Sequence, residues 1–240
     1  MKKKLIYLLN KTRYHLLTEY TLDYSRLIRN YFKLNKLYNK YSLYTMVAKR
    51  DFLDNMELVK KHSCIPGSVV ECGVWRGGVS ASLAEVLGNS RKYYLFDSFE
   101  GLPQAKEIDG ESAINWQKEK DVANYYDNCS AGVEWAQKAM DLSGAQQVEI
   151  VKGRFKDTLP HFNKKETIAI LRLDGDWYDS TMDCLTNLYP QVAIGGVILI
   201  DDYVAWDGCS RAVHDYLSKN NLTCRIKQFN NGNLHYIIKT

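Results

Sequence analysis

The sequence predicts an α/β fold: a doubly wound, mainly parallel seven-stranded sheet with one antiparallel strand and an N-terminal helical extension. Three observations carry this. From Ser68 onward, short apolar runs alternate with helical patterns, as strand–helix–strand units do. Two of these runs end in acids: Ile168 to Leu173 leads into Asp174, and Gly196 to Ile200 into Asp201 and Asp202. Open α/β sheets present their chemistry at such C-terminal strand ends. The chain closes on two apolar stretches around Asn230-Asn231-Gly232, a hairpin that adds one reversed strand to a parallel sheet.

The elements follow in order. Residues 1–60 read as a helical, basic arm and an entrance helix, with apolar residues Leu5, Leu8, Leu9, Leu27, Ile28, Tyr31, Leu34 and Leu37 at three- and four-residue spacings. Lys2, Lys3, Lys4 and Arg13 make this arm a solvated face, a dimerisation arm of a homo-oligomer, or a weak contact for an anionic membrane surface. Tyr44 to Val47 precedes a helical pattern from Asp51 to Lys61, and Pro66-Gly67 marks a turn. The main domain, residues 61–240, opens with a strand at Ser68 to Cys72, the glycine turn ECGVWRGG and a helix from Val79 to about Leu87. A second strand, Lys92 to Phe96, ends in Asp97. A polar and aromatic insertion over about 101–144 follows, long enough to be functional rather than a plain connection. Strands at Gln147 to Val151, Ile168 to Leu173 and Gly196 to Ile200, helices from about Thr181 to Tyr189 and Cys209 to Lys219, and the hairpin complete the sheet.

Bulk properties bound the function. With 240 residues the chain suits one large domain. A net charge of +4, without a basic stripe interleaved with aromatics, argues against a nucleic-acid partner. The run Leu5 to Leu9 is too short for a signal or a membrane span, and no other stretch is long enough, so no transmembrane segment is expected. Six cysteines without a C-x-x-C pair read as free thiols of a cytoplasmic protein. Seventeen Tyr and five Trp either fill the core or line a site for sugars or flat rings.

Two constellations carry chemistry. In ECGVWRGG, Glu71 stands at the strand end, and Gly73, Gly77 and Gly78 turn the chain toward a helix N-terminus. Trp75 occupies the place of the middle glycine of a dinucleotide fingerprint, and Glu71 would repel a pyrophosphate. The turn therefore suits a cationic or zwitterionic guest, and Asp97 is placed to accept the hydroxyls of a ribose; together they point to an adenosine-containing ligand. Asp174 precedes Asp201 and Asp202 by 27 and 28 residues, about one strand–helix unit, so the two tips are neighbours. Carboxylates this close repel unless a cation sits among them. Oxygen-only ligands point to Mg2+, with Mn2+ or Ca2+ in its place, rather than zinc. The plainer reading makes each Asp a turn or cap residue.

The series ECGVWRGG, FDSFEGLP, RFKDTLP, LRLDGDWYDST, NLYP, GGVILIDDY and CSRAVHDY, over roughly Tyr44 to Lys219, resembles the macrocin and mycinamicin O-methyltransferase family. These are class I enzymes that use S-adenosyl-L-methionine and magnesium to methylate sugar hydroxyls. The resemblance implies that Glu71, Gly73, Trp75, Gly77 and Gly78 hold the methionine part of the cofactor. Asp97 and Ser98 would take the ribose, and Gly153, Arg154 and Phe155 would lie near the adenine. Met46 would close over the cofactor, and the insertion would be a substrate lid. Asp174, Asp201 and Asp202 match the metal ligands, and Asp174 the general base. The acceptor would be a sugar of a natural product or of a surface glycan. Two other readings stand beside this one. Asp174-Gly175-Asp176 is also a D-x-D, the metal signature of many glycosyltransferases, and the domain could be a non-catalytic binding module.

Overall fold

The structure, a computed structural model, describes residues 29–123 and 125–240. It divides into two compact units, Met1–Lys40 and Tyr41–Thr240. In the first, residues 29–40 are helical (α1). Leu5, Leu8, Leu9, Leu27, Ile28, the basic residues Lys2, Lys3, Lys4 and Arg13, and His15 lie outside the described residues. No helix among the described residues is long and apolar enough to cross a membrane.

The second unit is organised by a seven-stranded sheet of order β3-β2-β1-β4-β5-β7-β6. Its strands are β1 (Ser68–Cys72), β2 (Lys92–Asp97), β3 (Gln147–Lys152), β4 (Ile168–Leu173), β5 (Val192–Ile200), β6 (Lys227–Gln228) and β7 (His235–Ile238). Strands β1 to β5 pair in parallel, and β7 runs antiparallel between β5 and β6. This is the predicted sheet with its single reversed strand. β1 and β4 are buried at every residue, which is why their sequences are apolar on both faces rather than alternating, apart from Ser68 and the buried charges Glu71 and Arg172.

The helices are α2 (Lys49–Lys61), α3 (Gly78–Leu87), α4 (Glu111–Lys118), α5 (Val133–Ser143), α6 (Tyr178–Leu188) and α7 (Asp207–Lys219). α3 packs against α2 and α5, and α6 against α7. Val70, Leu171 and Ile198 from the sheet meet Leu185 and Val213 from α6 and α7 in one apolar cluster. Each such side chain contributes roughly 1.5–3 kcal/mol by leaving water. Residues that alternate with these strand positions point to the opposite face.

Two elements start at least three residues earlier than the sequence predicts. α6 begins at Tyr178 rather than Thr181, because the buried Asp109 of the insertion accepts the Tyr178 N–H at 2.7 Å. A side chain far away in sequence thus does the work of a helix cap. β5 begins at Val192 rather than Gly196. The strand passes through Gly195 (φ 80°) and Gly196, and its pairing with β4 shifts register there instead of stopping. The hairpin turn is where it was expected, with Asn230 and Asn231 both left-handed (φ 49° and 52°), as short polar side chains permit.

Within the insertion, Tyr126 to Cys129 form a left-handed turn, φ 46–60° at four consecutive residues. Asn128 fastens this turn, donating to the Leu102 carbonyl at 2.8 Å and accepting from Gln117 at 3.0 Å.

Candidate active site

The order of the sheet reverses at β1 and β4, so their tips flank the crevice in which open α/β sheets hold ligands. Backbone bonds lock the tips together: Asp174 N–H to Cys72 O at 2.8 Å, Asp201 N–H to Leu173 O at 2.9 Å and Gly73 N–H to Phe96 O at 2.9 Å. Gly73 (φ 89°) has to be glycine, because a Cβ there would overlap the Asp174 carbonyl. Above the tips opens a cavity of about 1000 Å³.

A buried charge network lies under this cavity. Arg172, with no exposed surface, donates through Nη1 to Glu71 Oε1 (2.7 Å) and Asp174 Oδ2 (2.6 Å) and pairs through Nη2 with Asp201 Oδ1 (2.6 Å). Glu71 is also buried and accepts from the Ser80 hydroxyl. Burial by itself would make Arg172 easier to deprotonate; the carboxylates of Asp174, Asp201 and Glu71 outweigh it and hold the charge firmly. Breaking a buried pair strands the remaining charge, at a cost of about 3–5 kcal/mol. Arg172→Met is therefore expected to lose that much unfolding free energy in urea. A loss below about 1 kcal/mol, the worth of an exposed pair, would contradict this network.

Asp174, Asp176 and Asp202 each offer an oxygen within 4.8 Å of the others. Asp176 is left-handed (φ 58°); its N–H donates to Asp202 Oδ2 at 3.0 Å, and its Oδ1 accepts from Trp206 Nε1 at 2.8 Å. Burial first, then the neighbouring carboxylates, raises Asp174 and Asp202 well above the ordinary carboxylate range. For Asp176 burial is again the main cause, and its value is pushed up to about 7. Such a group of hard oxygens, crowded and short of counter-charge, fits a divalent cation.

At the tip of β2, Asp97 takes three backbone N–H groups: Val74 (2.7 Å) and Trp75 (2.8 Å) on Oδ2, and Phe99 (2.7 Å) on Oδ1. Trp75 is left-handed (φ 49°), part of the turn that brings these donors to the carboxylate. Burial raises the Asp97 pKa, and these N–H groups oppose the rise. A carboxylate has about four lone-pair sites, so one remains for a guest. The Ser98 hydroxyl donates to Gly101 O and accepts from Glu100 N–H.

Of the residues singled out by sequence, Met46, Glu71, Gly73, Trp75, Asp97, Ser98, Gly153, Arg154, Phe155, Asp174, Asp201 and Asp202 all line the cavity. Gly77 and Gly78 do not. A Cβ on Gly77 would meet Ala136, and one on Gly78 would sit 2.6 Å from the Tyr44 carbonyl, which the Gly78 N–H binds at 2.8 Å. These two glycines seat α5 and the Tyr44 segment. Asp201 faces Arg172, while Asp176 stands with Asp174 and Asp202. Sequence reasoning passed over Trp206, Trp116 and Asp51, which also line the cavity. Trp206 follows the second acidic tip by four residues and was within reach of the strand-end rule; Trp116 arrives only through the fold of the insertion.

Comparison with known proteins bears on this site. The Macrocin-O-methyltransferase (TylF) family model matches residues 39–236. Demethyldecarbamoylnovobiocin O-methyltransferase of Streptomyces niveus is 37% identical over 163 residues, 65% of this chain and 60% of its own. A tetracenomycin-C rhamnosyl 4'-O-methyltransferase of Streptomyces olivaceus is 36% identical, covering 68% of this chain and 63% of its own. Mycinamicin III 3''-O-methyltransferase of Micromonospora griseorubida is 32% identical, covering 72% and 68%. The chain thus spans under two thirds of the first two relatives. Among solved structures, the O-methyltransferase NovP aligns with TM-score 0.66 and 29% identity over 82% of both chains. The calicheamicin methyltransferase CalS11, at 20% identity and TM-score 0.65 over 88% of this chain and 91% of its own, shares the fold.

Proposed function

The chain belongs to the macrocin O-methyltransferase family, and from that premise we propose that it transfers a methyl group from S-adenosyl-L-methionine to a hydroxyl of a sugar, with the help of a divalent cation. The observation that carries the reading is the junction of two differently built corners of one cavity. On one side stand the Glu71 tip, the turn through Trp75 and the anchored Asp97; on the other stands the carboxylate group at the tips of β4 and β5. The named activities of the relatives, all O-methyltransferases, support it.

Glu71, Gly73 and the turn through Trp75 would hold the methionine end of the donor, with Met46 over it. Asp97 would take one ribose hydroxyl through its remaining lone pair, beside Ser98. Gly153, Arg154 and Phe155 would border the adenine. Asp174 and Asp202 would hold the cation; the spacing of the sequence favours Asp201 as the third ligand, and the 4.8 Å grouping of carboxylate oxygens favours Asp176. When bound, S-adenosyl-L-methionine supplies a methyl group already activated on a sulfonium, and the cation supplies charge that makes a hydroxyl easier to deprotonate. The protein's own part is position and proton transfer. Arg172 occupies Asp174 Oδ2 and so fixes the carboxylate, leaving Oδ1 to accept the acceptor's proton. The insertion would cover the reacting groups and exclude water.

Calorimetric titration tests the reading. S-adenosylhomocysteine is expected to bind and uridine diphosphate glucose is not; the reverse pattern would turn the assignment to glycosyl transfer. Methyl transfer is expected to vanish in excess EDTA and to return with added Mg2+. Full activity in EDTA would remove the cation from the proposal.

A further inference from the structure

The geometry points to Trp206 as the platform that seats the acceptor's sugar ring, with Trp116 of the insertion as its second wall. This inference rests on the methyltransferase reading and adds to it a recognition surface. Trp206 is half-buried. It packs against the main apolar cluster and also lines the cavity, so part of the ring is fixed and part faces the guest. Trp177, 1% exposed and tied through its indole N–H to Pro103 O at 2.9 Å, backs it with ring centroids 5.2 Å apart. Trp116 meets Trp206 edge to face at 5.9 Å and also lines the cavity. A pyranose presents a face of C–H groups, and the negative face of an indole attracts it while excluding water.

The position of Trp206 links that surface to the reacting groups. Its Nε1 donates to Asp176 Oδ1 at 2.8 Å, and Asp176 N–H donates to Asp202 Oδ2 at 3.0 Å. A ring resting on Trp206 therefore lies two hydrogen bonds from Asp202, which stands with Asp174 and Asp176 in one carboxylate group. Trp206 is a positioning residue twice over: it orients the acceptor with its face and Asp176 with its edge.

The charge of the cavity narrows the acceptor. Among the described residues, ten lining side chains are carboxylates and four are cations. Arg172 is committed to Glu71, Asp174 and Asp201, Lys106 pairs with Asp179, and Arg154 donates to Gly101 O. Arg154 and Lys156 are the two lining cations outside these ion pairs, and the ten acids around them would repel a phosphate. The platform thus serves an uncharged glycosyl group.

The test uses Trp206→Leu, which removes ring and N–H, and Trp206→Phe, which keeps a ring and removes the N–H. Acceptors are p-nitrophenyl glycosides of rhamnose, glucose and galactose with labelled S-adenosylmethionine and Mg2+; rhamnose 1-phosphate is the charged control. Titration with S-adenosylhomocysteine checks each variant's fold and donor site. Trp206→Leu is expected to raise the acceptor KM about tenfold, the worth of one aromatic contact, with unchanged S-adenosylhomocysteine affinity. Trp206→Phe is expected to keep KM near wild type and to lower kcat, since Asp176 loses its donor. An acceptor KM unmoved in both folded variants overturns the platform. So does a wild-type protein that binds S-adenosylhomocysteine but none of the glycosides, or that prefers rhamnose 1-phosphate. Should Trp206→Leu not fold, an unchanged kcat and a raised KM in Trp206→Phe would overturn the positioning of Asp176. A wild type that does not bind S-adenosylhomocysteine fails at the methyltransferase reading itself.

Discussion

Asp174→Asn is expected to lower methyl transfer by about 10²–10⁴-fold, the usual contribution of a positioned proton acceptor, while S-adenosylhomocysteine binds as before. The substitution is nearly isosteric. The Asn carbonyl can still accept from Arg172, and the backbone bond from residue 174 to Cys72 O is untouched. The negative charge that would take the proton and help hold a cation is lost. Asp97 lies on another strand and keeps its three N–H donors, and Glu71, though it shares Arg172 Nη1 with residue 174, keeps that bond and the one from Ser80. Label transfer and calorimetry on the same preparation separate the two effects. Near-wild-type turnover would remove Asp174 from the chemistry, and loss of S-adenosylhomocysteine binding would show that residue 174 supports the donor corner as well.

Gly73→Ala should have the largest effect on the fold. The residue is left-handed (φ 89°), which costs an L side chain about 1–2 kcal/mol. The greater cost is steric, since the new methyl would overlap the Asp174 carbonyl and push apart the two central tips. A loss above about 4 kcal/mol is expected, out of the roughly 5–15 kcal/mol that stabilise a domain, read as a large fall in Tm or in soluble yield. Gly88→Ala is the control. It also has a positive φ (106°), but nothing lies within 4 Å of its would-be Cβ, so it carries a backbone cost without a clash. Equal melting of the two variants would contradict the steric account.

The sheet was legible because burial on both faces leaves a plain signal: Ser68 to Cys72 and Ile168 to Leu173 are short, mostly apolar segments closed by turns, each with a single charge near its C-terminal end. Where the reading slipped, tertiary contacts had overridden local cues. Asp109 starts α6 from a distance, and Gly195-Gly196, where the strand was expected to begin, is a register shift inside β5. At the site, the acids were visible because strand tips gather chemistry. Their pairing was not, since nothing local says that Arg172 reaches Asp201 while Asp176 turns to Asp202. Gly77 and Gly78 looked like a ligand cradle because close packing of two chain segments and close approach of a guest leave the same mark, an absent Cβ.

The knot around Arg172 also separates positions that are energetically coupled from positions that can be altered singly. Glu71, Arg172, Asp174 and Asp201 share one guanidinium, so an alteration at any of them shifts the demand on the other three, and these positions have to vary in concert. Trp116 and the exposed Val204 touch the same cavity but belong to no such circuit. Divergence toward new acceptors, natural or directed, therefore has its open ground in the insertion and in the segment after β5. In the charged floor beneath them, a single substitution leaves a buried charge short of its partner.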